Sequence, residues 1–292
     1  MAIKNSGSSL AFSEIEAEFG QNGGRSLGAY RLTQSVGSLS NLPLDTGIPT
    51  SGQIKFSDFY AKQLNVVVNC HSGSREDRKS AKNDKWNNND VTVIGGFRSK
   101  KESGSRILIN VNKKFCSDKS DVQHVALRTG SWDSTATVQV DVGSNGEILG
   151  AGGDGGKGAD GINNNGDPGS PGTSALGIDH NNVTVNIASG AVLRAGFGGG
   201  GGGGGGRQTD KRRDRRAGGG GGGGGMGCPA GDGGVGGSGG QASGNAGGGQ
   251  SRNTSGGGGG GNGAAIRRTS GFSVTINNSG SITGSTSDTG VN

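Results

Sequence analysis

"VTVNIASGAVLRAG", residues 183–196, alternates apolar and polar side chains from Val183 to Ile187, breaks at Gly190 and resumes in a short apolar return. A period of two marks a half-buried strand, because successive side chains point to opposite faces. The phrase recurs as "VQVDVGSNGEILG" (138–150) and "VTINNSGSITG" (274–284). Strand, glycine turn and short return therefore form a unit repeated along the chain, either a hairpin or a β-arc.

Between the copies lies glycine. Pure runs occupy 198–206, 218–225 and 256–261, and runs with glycine at every third position occupy 152–163, 166–174 and 233–241. Three residues per turn is the period of the polyproline II helix, which has no internal hydrogen bonds and turns its amides and carbonyls outward. Such segments packed side by side bond to one another, and a Cβ pointing at a neighbour would hold them apart. Pure glycine then marks segments surrounded on all sides, and Gly-x-y marks segments at the rim. A flexible linker is the competing reading, but a linker has no need of a three-residue grading.

The runs 198–206 and 218–225 bracket "RQTDKRRDRRA" (207–217). At about 3.1 Å per residue, nine glycines span roughly 28 Å, enough to run out to one end of a bundle and back. The insert is then a loop exposed at that end, and "INNNGDP", "MGCPAGD" and "QSRNTS" are further loops of the same kind. Its cations, Arg207, Lys211, Arg212, Arg213, Arg215 and Arg216, outnumber Asp210 and Asp214.

Composition agrees with an unconventional core. Of 292 residues 68 are glycine, and 28% are hydrophobic, too few for an ordinary core throughout. The net charge of +6 suits an anionic partner. Neither a signal-peptide h-region nor a membrane-length apolar run occurs, so synthesis in a cytoplasm and no membrane insertion are expected. Cys70, Cys116 and Cys228 are odd in number and scattered, which argues against a disulfide framework and a zinc site.

The expected fold class is mainly β, in three parts. Residues 1–64 form a small docking module. "LAFSEI" starts a short helix by a Ser13/Glu16 capping box, "QIKFSDFY" forms a strand, and Phe12, Ile15, Phe19, Phe56, Phe59 and Tyr60 form an apolar cluster that continues into a partner. Residues 65–145 carry five short strands and read as an antiparallel β-sandwich; the basic segment 74–86 is a solvated loop between the first two. Residues 146–292 form the glycine-rich polyglycine II domain with interspersed hairpins.

Glycine-rich motifs alternating with divergent loops, behind a non-glycine attachment domain, resemble the tail-fibre-tip adhesins of T-even-like bacteriophages. "LAFSEIEAEFG", "LPLDTGIP" and "GQIKFSDFY" are similar to the leading segment of structural proteins from marine T-even-like phages. The resemblance implies a virion tail protein whose N-terminal module docks on other tail or fibre proteins. It also implies that the distal loops bind a host surface receptor, an outer-membrane protein or lipopolysaccharide. The alternative is an architectural virion protein, in tail, baseplate or capsid decoration, without receptor contact. Two departures from the adhesin pattern are the β-sandwich and the apolar units between glycine segments.

Other chemistries find little support. Gly150 to Gly155 satisfies G-x-G-x-x-G by chance in a glycine-saturated tract, and Lys157 lacks the Ser or Thr of a phosphate loop. His71, His124 and His180 have no partners at metal-ligand spacing, and the sequons at Asn182 and Asn253 presuppose a secretory route. No catalytic residue, metal or cofactor is expected. Nucleic-acid binding is disfavoured because the basic residues form one cluster without stacking aromatics.

Overall fold

The computed structural model describes residues 3–20, 26–36, 39–70, 91–93, 106–117, 124–130, 132, 134–160, 165–204, 206–210, 213–217, 221–228, 230–234 and 255–291. The chain is mainly β, and its body is a parallel solenoid. A six-stranded sheet contains Asn65–Asn69, Arg106–Val111, Thr137–Val142, Val183–Ile187 and Val274–Asn278 as parallel neighbours, with Val91–Val93 antiparallel at the edge beside Asn65–Asn69. A second sheet stacks Lys114–Cys116, Glu147–Leu149, Val192–Arg194 and Ser281–Thr283. A third stacks Val125–Arg128, Ser174–Ile178, Ala264–Arg268 and Ser285–Ser287. Asn65–Asn69 opens the first coil, and from Arg106 onward the chain visits the three sheets in turn, one strand each in coils two to five.

The repeated phrase is thus a β-arc. Its strand and its return belong to different sheets, and each pairs with the equivalent strand of the next copy. The register superimposes Val68, Ile109, Val140, Val185 and Ile276. In the second sheet it superimposes Phe115, Ile148, Leu193 and Ile282, and in the third Leu127, Leu176 and Ile266. These stacks belong to one apolar core, in which Ile109, Val140, Val185, Ile148, Leu193 and Leu176 are all but inaccessible. Two coils cannot bury this surface alone, and stacking makes it continuous.

The expected antiparallel pairing of the middle strands is not what forms, since Asn65–Asn69, Arg106–Val111 and Thr137–Val142 lie parallel. A period of two is the same in both arrangements. Direction is decided by the return path, which between Arg106–Val111 and Thr137–Val142 runs through two further sheets. The basic segment 74–86 lies outside the described residues.

The N-terminal part packs onto the first coil and shares its core, through Ile15, Phe19, Tyr30, Leu44 and Phe59. The helix Phe12–Phe19 starts two residues earlier than the Ser13 box requires. Ala11 is its N-cap, and the Glu14 carboxylate accepts the Ala11 N–H at 2.7 Å. The second phrase repeats the device as a single 3-10 turn, Phe56–Phe59, not a strand: Asp58 accepts the Lys55 N–H at 2.7 Å. In both, an acid at the third helical position satisfies an otherwise orphaned amide. Leu64 N–H donates to Glu18 and Asn65 N–H to the Leu44 carbonyl, which joins this part to the first strand of the solenoid. Asp45 takes an ion pair from Arg106 at 2.7 Å and also accepts the N–H groups of Thr46 and Gln63.

Candidate functional site

Every glycine excursion leaves the solenoid at one corner, between the second sheet and the third. In the last coil that corner is the single residue Gly284, at φ +123°, between Ser281–Thr283 and Ser285–Ser287. In the preceding two coils it expands into residues 150–173 and 195–263. Six glycine-rich segments are described there: 150–159, 166–173, 196–204, 221–228, 230–234 and 255–263.

Their hydrogen bonds step by three residues. Gly153, Gly156 and Ala159 donate to Phe197, Gly200 and Gly203; Gly199 and Gly202 donate to Ser170 and Asp167; Gly222 and Gly225 donate to Gly156 and Gly153. Gly257, Gly260 and Gly263 donate to Gly202, Gly199 and Gly196, and Gly166, Gly169 and Gly172 to Ser255, Gly258 and Gly261. The first segment therefore borders the second, third, fourth and fifth, and the third borders the first, second, fourth and sixth. The partners define two rows, fifth–first–second and fourth–third–sixth.

Glycine is required where segments meet, both within a row and between rows. A Cβ on Gly153, Gly199, Gly202 or Gly222 would stand 1.9–2.1 Å from a neighbouring carbonyl oxygen. It is not required everywhere: nothing lies within 4 Å of such an atom on Gly223, Gly258 or Gly261. The pure run 256–261 therefore includes open positions as well as the tightly packed Gly257 and Gly260.

The array has a base and a far end. At the base Gly150, Thr173, Gly196 and Gly263 adjoin solenoid strands, and Ala151 N–H donates to the Thr173 hydroxyl at 2.8 Å. "MGCPAGD" also lies at the base and is not a distal loop: Cys228 N–H donates to the Gly150 carbonyl, and its sulfur is joined to Cys116 of the second sheet. That disulfide corrects the expectation that the scattered cysteines make no disulfide framework; a bridge across 112 residues leaves no trace in spacing. Toward the far end, Lys157 pairs with Asp160 at 2.5 Å, and this hydrogen bond holds the lysine pKa above its ordinary value.

Between the third and fourth segments the insert forms a two-stranded antiparallel ladder, Gly206–Asp210 with Arg213–Ala217. Its register sets Arg207 opposite Arg216, Gln208 opposite Arg215 and Asp210 opposite Arg213. Lys211 and Arg212 lie outside the described residues. Backbone order links the ladder to Gly202 and Gly222, on the side of the array away from Gly196 and Cys228.

The sequence that folds into this solenoid and glycine array matches one known family. The model of the family described as "Phage tail fibre adhesin Gp38" matches residues 79–290. The chain belongs to that family. No curated protein and no solved structure matches it. As a phage tail fibre adhesin it is a structural component of the virion tail. The family match takes in the glycine array, the hairpin and coils two to five, and does not extend to residues 1–64. No helix among the described residues is long and apolar enough to cross a membrane.

The six apolar candidates near the N-terminus divide in two. Ile15, Phe19 and Phe59 are fully buried within the chain, whereas Phe12 and Tyr60 are half-buried and Phe56 is 41% exposed. Phe12 links the two groups, with ring centroids 6.2 Å from Tyr30 and 6.1 Å from Phe56. Tyr30, absent from the sequence-derived set, is at the centre: its ring meets Phe12, Phe19 and Phe59, its hydroxyl donates to the Gly20 carbonyl at 2.9 Å, and burial pushes its pKa up to about 12. Its isolation from both repeated phrases hides it in the sequence. His180 is a structural residue, buried with Nε2 3.0 Å from the Ala136 carbonyl.

Proposed function

We propose that this adhesin contacts its host through the hairpin 206–217, held at the far end of polyglycine II segments, while the N-terminal part docks on another tail or fibre protein. The observation that carries the reading is the ladder between Gly206–Asp210 and Arg213–Ala217, which continues directly from two glycine segments of the array. The three-residue hydrogen-bond step supports the polyglycine II assignment. Arginine guanidinium groups fork onto phosphate or carboxylate, so the receptor class is an anionic surface, either lipopolysaccharide phosphates or acidic outer-membrane loops. Phe56, exposed and with its ring against that of Phe12, is the proposed contact with the fibre, together with the half-buried Phe12 and Tyr60.

The test uses the purified full chain as a competitor. Pre-incubating host cells with it should block adsorption of the parent phage, and the chain with Arg207, Arg213, Arg215 and Arg216 changed to Ser should not block. Equal competition by both would assign receptor contact to another part of the molecule.

A further inference from the structure

Four of the six described glycine segments are rooted in the solenoid by a peptide bond. The first follows Glu147–Leu149, the second leads into Ser174–Ile178, the third follows Val192–Arg194 and the sixth leads into Ala264–Arg268. The fourth and fifth have no such root. They meet at the base in the turn around Cys228, and their far ends lead into the hairpin and into residues 235–254. Among the described residues the fifth bonds to the fourth segment, by Gly231 to Gly225 and Gly234 to Gly222, and to the first, by Gly155 to the Asp232 carbonyl and by the Asp232 N–H to the Asp154 carboxylate at 2.7 Å.

The disulfide supplies the missing root. Cys116 pairs in register with Leu149 in the second sheet, and Cys228 N–H donates to the carbonyl of Gly150, the next residue. One rung of the solenoid thus continues into the array through the Cys116–Cys228 bond, with Cα atoms 5.2 Å apart. Segments without side chains bury little apolar surface, and glycine loses more conformational freedom on ordering than any other residue. A covalent root matters most in such a part of a protein. A phage adhesin is assembled in a bacterial cytoplasm, where thiols are kept reduced, and acts outside it.

We propose that Cys116–Cys228 is a maturation staple: the chain folds as a dithiol inside the host and is cross-linked after release, which fixes the fourth and fifth segments to the solenoid. The oxidant is a low-molecular-weight disulfide in the medium. A Cys228 or Cys116 thiolate attacks one of its sulfurs to give a mixed disulfide and one small thiol. The second cysteine then displaces the other small thiol, so two protein thiols and one small disulfide become one protein disulfide and two small thiols. This inference does not depend on what the hairpin binds.

Two measurements test it. The first traps thiols with iodoacetamide in infected cells before lysis and in released, denatured particles. Alkylated Cys116 and Cys228 before lysis and a linked peptide pair afterwards are expected. Alkylation of both in released particles, or linkage already complete inside the cell, would overturn the proposal. The second compares amide exchange of the purified full chain with and without tris(2-carboxyethyl)phosphine. Reduction should speed exchange at Gly222, Gly225 and Gly234 by at least about tenfold while leaving Gly199 and Gly202 unchanged. Cys228→Ser should reproduce the reduced state and Cys70→Ser should not. Identical exchange in the oxidised and reduced wild-type chain would show that the bond roots nothing.

Discussion

Gly202 approaches the carbonyl oxygen of Lys157 so closely that a Cβ would stand 1.9 Å from it. No rotamer change relieves that clash, because both partners are backbone. Gly202→Ala should therefore force the first and third segments apart, at a cost of about 3 kcal/mol or more if the rows separate. Gly223, a few residues into the returning segment, has nothing within 4 Å of its would-be Cβ. Gly223→Ala should be neutral or stabilise by about 0.4–1 kcal/mol, since alanine has less freedom to lose. Thermal unfolding of the two variants, followed by amide exchange at Gly156 and Gly199, checks the contrast. Equal behaviour would mean that the glycine grading has no steric basis.

The N-terminal part should be coupled to the solenoid through Asp45. Its side chain is only 3% exposed and receives Arg106 together with two backbone amides. Asp45→Ala leaves those donors unanswered and should cost about 2–4 kcal/mol in chemical denaturation. Arg106→Ala, at a guanidinium that is 34% exposed, should cost less.

Glu14 gives the N-terminal helix a pH dependence of known sign. Its pKa is lowered, first by the hydrogen bond from Lys4 and then by the Ala11 N–H. The ionised form is thus favoured in the folded chain, and the stabilisation is present above the unfolded pKa and lost as pH falls through the folded one. Helix content of this part should decline on acidification below about pH 4.5, and Glu14→Gln should flatten that part of the curve. A titration unchanged by the substitution would rule out Glu14 as the group responsible.

Much of this architecture was legible in the sequence, and the missing pieces share a cause. The repeated phrases around Val140, Val185 and Ile276 expose the strands and the turn of each coil because alternation survives in them. Two strands of the third sheet, Ser174–Ile178 and Ala264–Arg268, follow closely on glycine tracts and lack alternation; with all five residues of the former buried, it does not announce itself. Pairing direction was not legible, because alternation is the same for parallel and antiparallel neighbours. The period-three glycine forecast the lateral array, yet the base position of Cys228 depends on a partner 112 residues away. The glycine runs that bracket "RQTDKRRDRRA" mark it as an exposed loop, and with no Asn-Gly or Asp-Gly turn signal its sequence hides the ladder that forms.

Attachment should depend on salt if the hairpin cations make receptor contact. Exposed charges are screened over about 8–10 Å near physiological ionic strength and over about 3 Å at 1 M. Adsorption rates measured from low to high sodium chloride should fall steadily, and the fall should be shallower in a variant with fewer hairpin arginines. A single Arg→Ala should have a modest effect, since one exposed contact contributes about 0–1 kcal/mol.

The most direct test of the central claim is adsorption of particles whose adhesin carries Arg212, Arg213, Arg215 and Arg216 changed together to Ser, at normal copy number and unchanged melting temperature. The account predicts that these particles assemble and fail to attach to host cells. Attachment at the wild-type rate would contradict it, and would move receptor contact away from the hairpin or leave this adhesin an architectural part of the tail.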